Sequence, residues 1–398
     1  MLGWELPPHN SGGLGVACYQ LCRALHKTGV GIEFILPYTA DHGHIDFMKV
    51  TSAYPMDAAV IQKAGIAYDS FEYRLQNGDL KGASLFDIAQ GYENAVERLV
   101  EVREFDIIHA HDWLTCRAAI RAKEKSGKPL IVHMHSVEAD RAGSEGGGNP
   151  MVREIEELSM MLADRVVAVS EHTKQSIIRE YGIPADKIEV IHNSFDIDQL
   201  ENLSGDNAYT YLEAMRKKGY RVVSNVGRIT IQKGLPNLLR AMQLVIAKAP
   251  KTFLLIVGSG DQLYELMALS AELGIADKVL FADFQRGKNY RDAYAVGDLF
   301  VMPSVSEPFG LTPLEAIGYG TPALISKQSG VSEVMTNVLK VDFWDTNEMA
   351  NQITAVMQND VLRDELQKQS YKEYLKLSWD KSAEKLNQLY ATHAGAAA

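Results

Sequence analysis

Five short segments carry residue types that can do chemistry, and each lies next to the end of an apolar run. The densest is Ser306-Glu307-Pro308-Phe309-Gly310-Leu311-Thr312-Pro313-Leu314-Glu315. Its two carboxylates stand eight residues apart. Each can accept from both hydroxyls of a vicinal diol, which a ribose and a hexose both offer. Thr312-Pro313-Leu314-Glu315 also reads as a capping box with Pro at the first helical position, so Glu315 has a competing structural task. Gly227-Arg228-Ile229-Thr230-Ile231-Gln232-Lys233-Gly234 sets two cations five apart around a turn. Converging Arg and Lys suit a diphosphate, with a solvated pair as the plain alternative. Ser11-Gly12-Gly13-Leu14-Gly15 runs into a helix from Val16. Unpaired N–H groups at such a helix start suit a phosphate or a developing anion. The run is not a full G-x-G-x-x-G: Cys18 holds the third glycine place and no acid ends the next strand. A nicotinamide cofactor is therefore not indicated, and a tight strand-to-helix turn stays open.

The other two segments are rich in histidine. His109-Ala110-His111-Asp112-Trp113 closes a strand, and alternation puts both histidines on one face. Two imidazoles so spaced suit a metal, but no third ligand stands nearby along the chain at a suitable spacing. A polar positioning role is expected, against a satisfied histidine at the sheet edge. His133-Met134-His135-Ser136-Val137-Glu138-Ala139-Asp140-Arg141 follows the next strand, with Gly143-Ser144-Glu145-Gly146-Gly147-Gly148 behind it. Its hydroxyl, carboxylate and guanidinium groups can bond a polyhydroxylated substrate, or simply face water as a surface loop.

The elements that must position these groups alternate strand and helix. Strands are predicted at Gly31–Pro37, Asp106–Ala110, Pro129–Met134, Arg165–Val169 and Lys187–Ile191. The intervening helices are Val16–Lys27, Gly91–Arg103, Trp113–Lys125, Met151–Leu162 and Glu171–Tyr181, the last capped by Ser170 and closed by Gly182. The second half repeats the theme, with strands at Arg221–Val226, Thr252–Val257, Lys278–Phe281, Leu299–Met302 and Pro322–Ile325. Its helices are Leu235–Lys248, Gln262–Leu273, Tyr290–Val296 and Pro313–Tyr319, and from Thr346 onward the pattern is helical only. Short Val/Ile runs between helices indicate parallel sheets covered on both faces, hence two doubly wound α/β domains in tandem. The polar stretch Asn193–Asn207 is the expected linker. Ligands of such sheets bind beyond the carboxyl ends of the strands, where strand order reverses, so two facing domains would form a deep cleft.

Composition narrows the classes. The 398 residues hold 40 Lys plus Arg against 51 Asp plus Glu, a net charge of −11, which argues against nucleic acid and gives no strong membrane signal. Three cysteines, Cys18, Cys22 and Cys116, make neither a disulfide framework nor a zinc motif and fit a reducing compartment. Neither a signal peptide nor a membrane span is visible, and a cytoplasmic protein is expected.

Taken together these motifs resemble the retaining glycosyltransferases of GT-B fold, of the glycogen and starch synthase-like (glycosyl transferase group 1) type. Glu307 and Glu315 make an E-x7-E element, and the Gly227–Gly234 turn and the His-Ala-His-Asp-Trp strand end are similar to that family's, in family order over nearly the whole chain. The resemblance implies two Rossmann-like domains, 1–195 plus 377–398 on the acceptor side and 208–376 binding a nucleotide sugar. A C-terminal helix, Trp379–Thr392, would cross back to the first domain and help the hinge. It implies that Arg228 and Lys233 hold a diphosphate, and that Glu315 binds ribose hydroxyls. Glu307 would face the donor sugar, with backbone N–H groups of Phe309, Gly310, Leu311 and Thr312 lining sugar and phosphate. Gly13 and Gly15 would approach the departing diphosphate and His111 the reacting carbon. His135, Glu138, Asp140 and Arg141 would lie on the acceptor side.

The expected catalytic groups are His111, Glu307, Arg228 and Lys233. Cationic side chains stabilise the leaving group, so no metal and no cofactor are expected beyond the donor, UDP-glucose or ADP-glucose. A front-face route with retention is expected, Glu307 being a weak candidate nucleophile. The expected reaction moves glucose to an α-1,4-glucan. Alternatives are a hexosyltransferase for a cell-envelope glycan or a small acceptor, and a nucleotide-sugar epimerase. A phosphorylase lacks a pyridoxal-lysine segment here, and a mere sugar-binding module would not need both cations and both Glu residues. Two departures stand out. Only Met1–Glu5 precede Leu6-Pro7-Pro8, where the family carries several more residues, so a shortened edge strand or a misassigned start is expected; and Asn193-Ser194 replaces Asn-Gly.

Overall fold

A computed structural model describes residues 1–10, 12–53, 85–143, 147–196, 198, 200 and 205–394. Ser11 and the glycine-loop residues 144–146 lie outside the described residues. The chain divides into two compact units, Met1–Ser194 with Ser378–Ala398, and Phe195–Leu377. Among the described residues no helix is long and apolar enough to cross a membrane. The three cysteines are free and buried.

The first unit is a parallel sheet of β1 (Glu33–Leu36), β2 (Lys49–Ser52), β3 (Ile108–His111), β4 (Leu130–Met134), β5 (Arg165–Ala168) and β6 (Ile188–Val190). β1 pairs with β2, and β3 through β6 pair in sequence order. Leu2 stands between the two groups, bridged in parallel to Ile35 on one side and Ala110 on the other. Leu2 N donates to His109 O at 2.8 Å and His111 N to Leu2 O at 3.0 Å, while Gly3 N reaches Ile35 O at 3.1 Å and Ile35 N reaches Met1 O at 2.9 Å. The short first strand is thus central rather than the expected edge, and strand order reverses between Leu2 and β3.

Helices α1 (Gly13–Lys27), α2 (Leu85–Val100), α3 (Trp113–Ser126), α4 (Glu138–Arg141), α5 (Pro150–Leu162) and α6 (Glu171–Tyr181) connect these strands. α6 has the expected ends: Ser170 Oγ accepts from Thr173 N at 3.0 Å, and Gly182 takes the left-handed conformation.

In the second unit the strands are β7 (Arg221–Val226), β8 (Thr252–Val257), β9 (Val279–Ala282), β10 (Leu299–Met302), β11 (Ala323–Ser326) and β12 (Leu339–Val341). Their spatial order is β12-β11-β10-β7-β8-β9, all parallel. This is the doubly wound order, with its reversal between β7 and β10. The helices are α7 (Thr210–Arg216), α8 (Leu235–Lys248), α9 (Leu263–Glu272), α10 (Gly287–Ala295), α11 (Thr312–Gly318), α12 (Val331–Val334), α13 (Thr346–Gln358) and α14 (Asp360–Tyr374).

The last helix, α15 (Trp379–Ala394), belongs to the first unit. Trp379, Ala383, Leu386 and Tyr390 fall on one stripe and join that unit's core, each of the larger ones contributing about 1.5–3 kcal/mol by burial. Lys27 Nζ pairs with Asp380 at 3.0 Å, and Ser382 Oγ donates to His192 O at 2.7 Å.

Candidate functional site

In the second unit the two loops at the strand-order reversal are tied to each other. β7 runs into Gly227-Arg228, and the 3-10 turn Ile231–Lys233 leads through Gly234 into α8. Gly234 has φ +64, and a Cβ there would lie 2.2 Å from Pro303 O in the loop after β10. Only glycine allows that backbone approach. Val305 N donates to Gln232 O at 2.8 Å, and Gln232 Nε2 to Ser306 O at 3.0 Å. The same contact line ends in an ion pair: Lys233 Nζ lies 2.6 Å from Glu307 Oε2, which also accepts from Ser304 Oγ at 3.0 Å. Arg228 Nη2 approaches Gln232 Oε1 at 3.4 Å. Glu307 is fixed by its backbone, its N–H to Gln328 O at 2.9 Å and its C=O to Gly330 N at 3.0 Å. Gly310, at φ +97, turns the chain back toward α11, and Phe309 O accepts from Val331 N at 2.7 Å. Leu311 precedes α11 and Thr312 opens it.

Glu315 does not cap its own helix. Thr312 is already helical, Leu311 takes the cap position, and no side chain caps the helix start, which corrects the expected capping box. The Glu315 carboxylate turns inward instead. Its Oε2 accepts from Tyr290 Oη at 2.8 Å and Tyr294 Oη at 2.7 Å, both on α10, and the two phenol oxygens lie 3.0 Å apart. Burial raises the Glu315 carboxyl, and the two phenols pull it back down. Tyr290 and Tyr294 were not singled out by sequence; their signal is the i, i+4 pair of one residue type on a predicted helix.

The first unit also gathers its candidates at its reversal point. His111 pairs in register with His133, so His109, His111, His133 and His135 share one face of β3 and β4. Ring centroids lie 4.4 Å apart for His109 and His111, and 4.3 Å apart for His133 and His135. His111 Nδ1 and His135 Nε2 are 3.0 Å apart, and His109 Nδ1 meets Tyr390 Oη. His111 is fully buried, whereas His135 retains 9% exposure. Burial lowers all four imidazoles below their ordinary values, so they are neutral near pH 7.

Asp112, the residue after β3, has φ +60 with ψ 170, outside the left-handed region that Asp commonly visits. Its Oδ1 accepts from His135 N at 2.6 Å, holding the end of β4 in place. Gly15 N, on α1, donates to Glu5 Oε1 at 3.2 Å, while Gly13 opens that helix. Glu138, Asp140 and Arg141 come together with Glu156 of α5, which sequence gave no reason to notice. Arg141 donates to Glu138 Oε2 at 2.8 Å and Ser136 Oγ at 2.8 Å, and pairs with Glu156 Oε1 at 2.5 Å. Glu156 is fully buried, and desolvation pushes it up to about 7 against the pull of Arg141. Asp140 faces inward and accepts from Val137 N at 3.2 Å.

Comparison with known proteins decides the family. Residues 213–373 match the model of glycosyl transferases group 1, and residues 11–199 that of glycosyltransferase family 4. The D-inositol 3-phosphate glycosyltransferase of Nocardia farcinica is 30% identical, over 96% of this chain and 85% of its own length. The chain belongs to the group 1 glycosyl transferases. An uncharacterized glycosyltransferase of Methanocaldococcus jannaschii is 27% identical over 98% of this glycosyltransferase and 97% of its own length. Among solved structures, sucrose-phosphate synthase from Thermosynechococcus elongatus superposes with a TM-score of 0.76 at 20% identity, covering 99% of each chain. Anabaena HepE, solved with UDP and glucose, gives 0.68 at 19% identity over 98% of this chain and 99% of its own. The fold of this glycosyltransferase is therefore GT-B, built from two Rossmann-like domains. Its structure brings Arg228, Lys233, Glu307, Phe309, Gly310, Leu311, Thr312 and Glu315 to one strand-order reversal, and His111, His135, Glu138, Asp140 and Arg141 to the other unit.

Proposed function

We propose that the second unit binds a nucleotide diphosphate sugar, UDP-glucose first, and that the enzyme passes the hexosyl group to a small hydroxylated acceptor with retention at the anomeric carbon. The observation that carries this is the Lys233–Glu307 pair at the reversal between β7 and β10, with Arg228 on the same turn. A cation bonded to a carboxylate is placed to share its remaining N–H groups with phosphate oxygens, while the carboxylate accepts from sugar hydroxyls. Glu315 then takes the ribose diol. HepE in complex with UDP and glucose supports the donor class.

In the reaction the bond from the anomeric carbon to the diphosphate oxygen breaks, and a bond to the acceptor oxygen forms on the same face. The acceptor proton passes to the departing phosphate oxygen. Negative charge gathers on the diphosphate, where Arg228 and Lys233 stabilise it without reorganisation.

A phosphorylated polyol is the acceptor that the relatives favour, since those named for their acceptor act on D-inositol 3-phosphate. The α-1,4-glucan end is the second reading, carried by the histidine motifs of the first unit. The test is nucleotide release from UDP-glucose, ADP-glucose and GDP-mannose with no acceptor, inositol 3-phosphate, glucose 6-phosphate, fructose 6-phosphate or glycogen. Acceptor-dependent release lost in Glu307→Ala, with an α-linked product by NMR, is expected. Release that glycogen alone accelerates would move the acceptor to a glucan. Release without any acceptor requirement would overturn transfer altogether.

A further inference from the structure

We propose that His109, His111 and His133 of the first unit bind one divalent transition-metal ion of the zinc class, as a structural site beneath the strand ends. Along the chain His133 is distant from the other two, and only the parallel register of β3 and β4 brings it beside His111. One ring nitrogen from each of the three lies within 4.8 Å of the others. Zinc–nitrogen bonds of about 2.0–2.1 Å set ligand atoms roughly 3.3 Å apart. The His109 ring lies at 10° to that of His133 and 26° to that of His111, so the imidazoles must turn about their side-chain bonds to aim their lone pairs at one ion.

The hydrogen bonding leaves the right atoms over. His109 Nε2, His111 Nε2 and both nitrogens of His133 have no hydrogen-bond partner and are buried. A buried imidazole nitrogen without a partner is costly, and a metal ion is one group that satisfies several at once. The second nitrogens of His109 and His111 are already held, by Tyr390 Oη and His135 Nε2. That is the arrangement of a metal ligand whose far nitrogen is oriented by an outer partner. Imidazole-only donors suit zinc, cobalt, nickel and copper rather than magnesium or calcium. A cavity of about 620 Å³ at the amino ends of the strands is lined by Leu2, Ile35, His109 and Tyr390, and so borders one of the three histidines. The inference does not depend on the identity of donor or acceptor.

The experiment titrates the untagged full-length chain, stripped with chelator, with Co²⁺ and then Zn²⁺. It reads visible cobalt absorption and metal content per chain. One tightly held ion per chain, with cobalt displaced by zinc, is expected. His133→Ala should weaken binding by more than about 100-fold and Tyr390→Phe by roughly 10–100-fold, while His42→Ala leaves it unchanged. His133→Asn, of closer volume, serves if His133→Ala does not fold by circular dichroism. No cobalt band in the unaltered chain, or a band that survives in the His133 variants, overturns the proposal. Loss in Cys18→Ala with retention in His133→Asn also overturns it, by moving ligation to Cys18, His111 and His135.

Discussion

Replacing Lys233 by Met keeps the aliphatic stem and removes one cation from the loop pair at the β7–β10 reversal. Two effects separate. The Lys233 side chain is 19% exposed and that of Glu307 11%, so the pair is largely but not fully withdrawn from water. Losing the cation leaves the Glu307 carboxylate on Ser304 Oγ, a cost of about 1–3 kcal/mol to the fold. A hydrogen bond from a charged donor to a phosphate is worth about 1.5–3 kcal/mol, so UDP should bind roughly 10–150-fold more weakly in calorimetry. In turnover the leaving diphosphate carries more charge than in the ground state, and kcat/KM should fall by about 10²–10³. Glu307→Gln keeps the shape and removes the competing charge. If Lys233 serves only to neutralise Glu307, the double variant Lys233→Met with Glu307→Gln recovers UDP affinity. If Lys233 serves the diphosphate, the double variant stays weak. Recovery, or a single variant within about threefold of the parent in kcat/KM, would refute the reasoning.

Other outcomes follow from the same geometry. If Glu315 takes the ribose diol as proposed, it accepts both hydroxyls best as a carboxylate, and burial raises its carboxyl, so donor KM should climb as pH falls through that raised value, above the ordinary range near 4.5. Glu315→Gln should give a high KM with a flat acid limb, and Tyr294→Phe, by removing one donor to the carboxylate, should move the limb to higher pH. An unmoved limb in Tyr294→Phe counts against the assignment. Gly234→Ala adds a Cβ at positive φ against Pro303 O and should cost about 2–5 kcal/mol in urea denaturation; Gly182→Ala, also at positive φ but with open space around it, should cost about 1–2 kcal/mol.

The strands with continuous apolar runs were legible because burial on both faces demands them: β4, Leu-Ile-Val-His-Met, and β8, Thr-Phe-Leu-Leu-Ile-Val, are buried throughout. β2, Lys-Val-Thr-Ser, and β12, Leu-Lys-Val, were not, since each is a short edge strand whose lysine breaks any continuous apolar run. The loops at the β7–β10 reversal were legible because their residue types are grouped locally, Arg228 with Lys233 and Glu307 with Glu315 each lying within one turn-and-helix segment. What escaped notice depends on partners distant in sequence. Glu315 reads locally as a cap and becomes a tyrosine acceptor only when α10 packs beside α11. His133 reads as a strand residue and becomes a neighbour of His111 only through register. Glu156 has no local mark at all and meets Arg141 across the fold.

The bridging of Leu2 between β1 and β3 has a consequence for biogenesis. Ala110, one of its two strand partners, is made about a hundred residues after it. At roughly 5–20 residues per second, Leu2 leaves the ribosome about 5–20 s before the strand it must lie beside. For that interval Leu2, Trp4 and Leu6, all buried in the finished fold, have no completed sheet to enter. A nascent chain of this architecture therefore carries an uncovered apolar segment early in synthesis, and buries it fully only when β3 arrives.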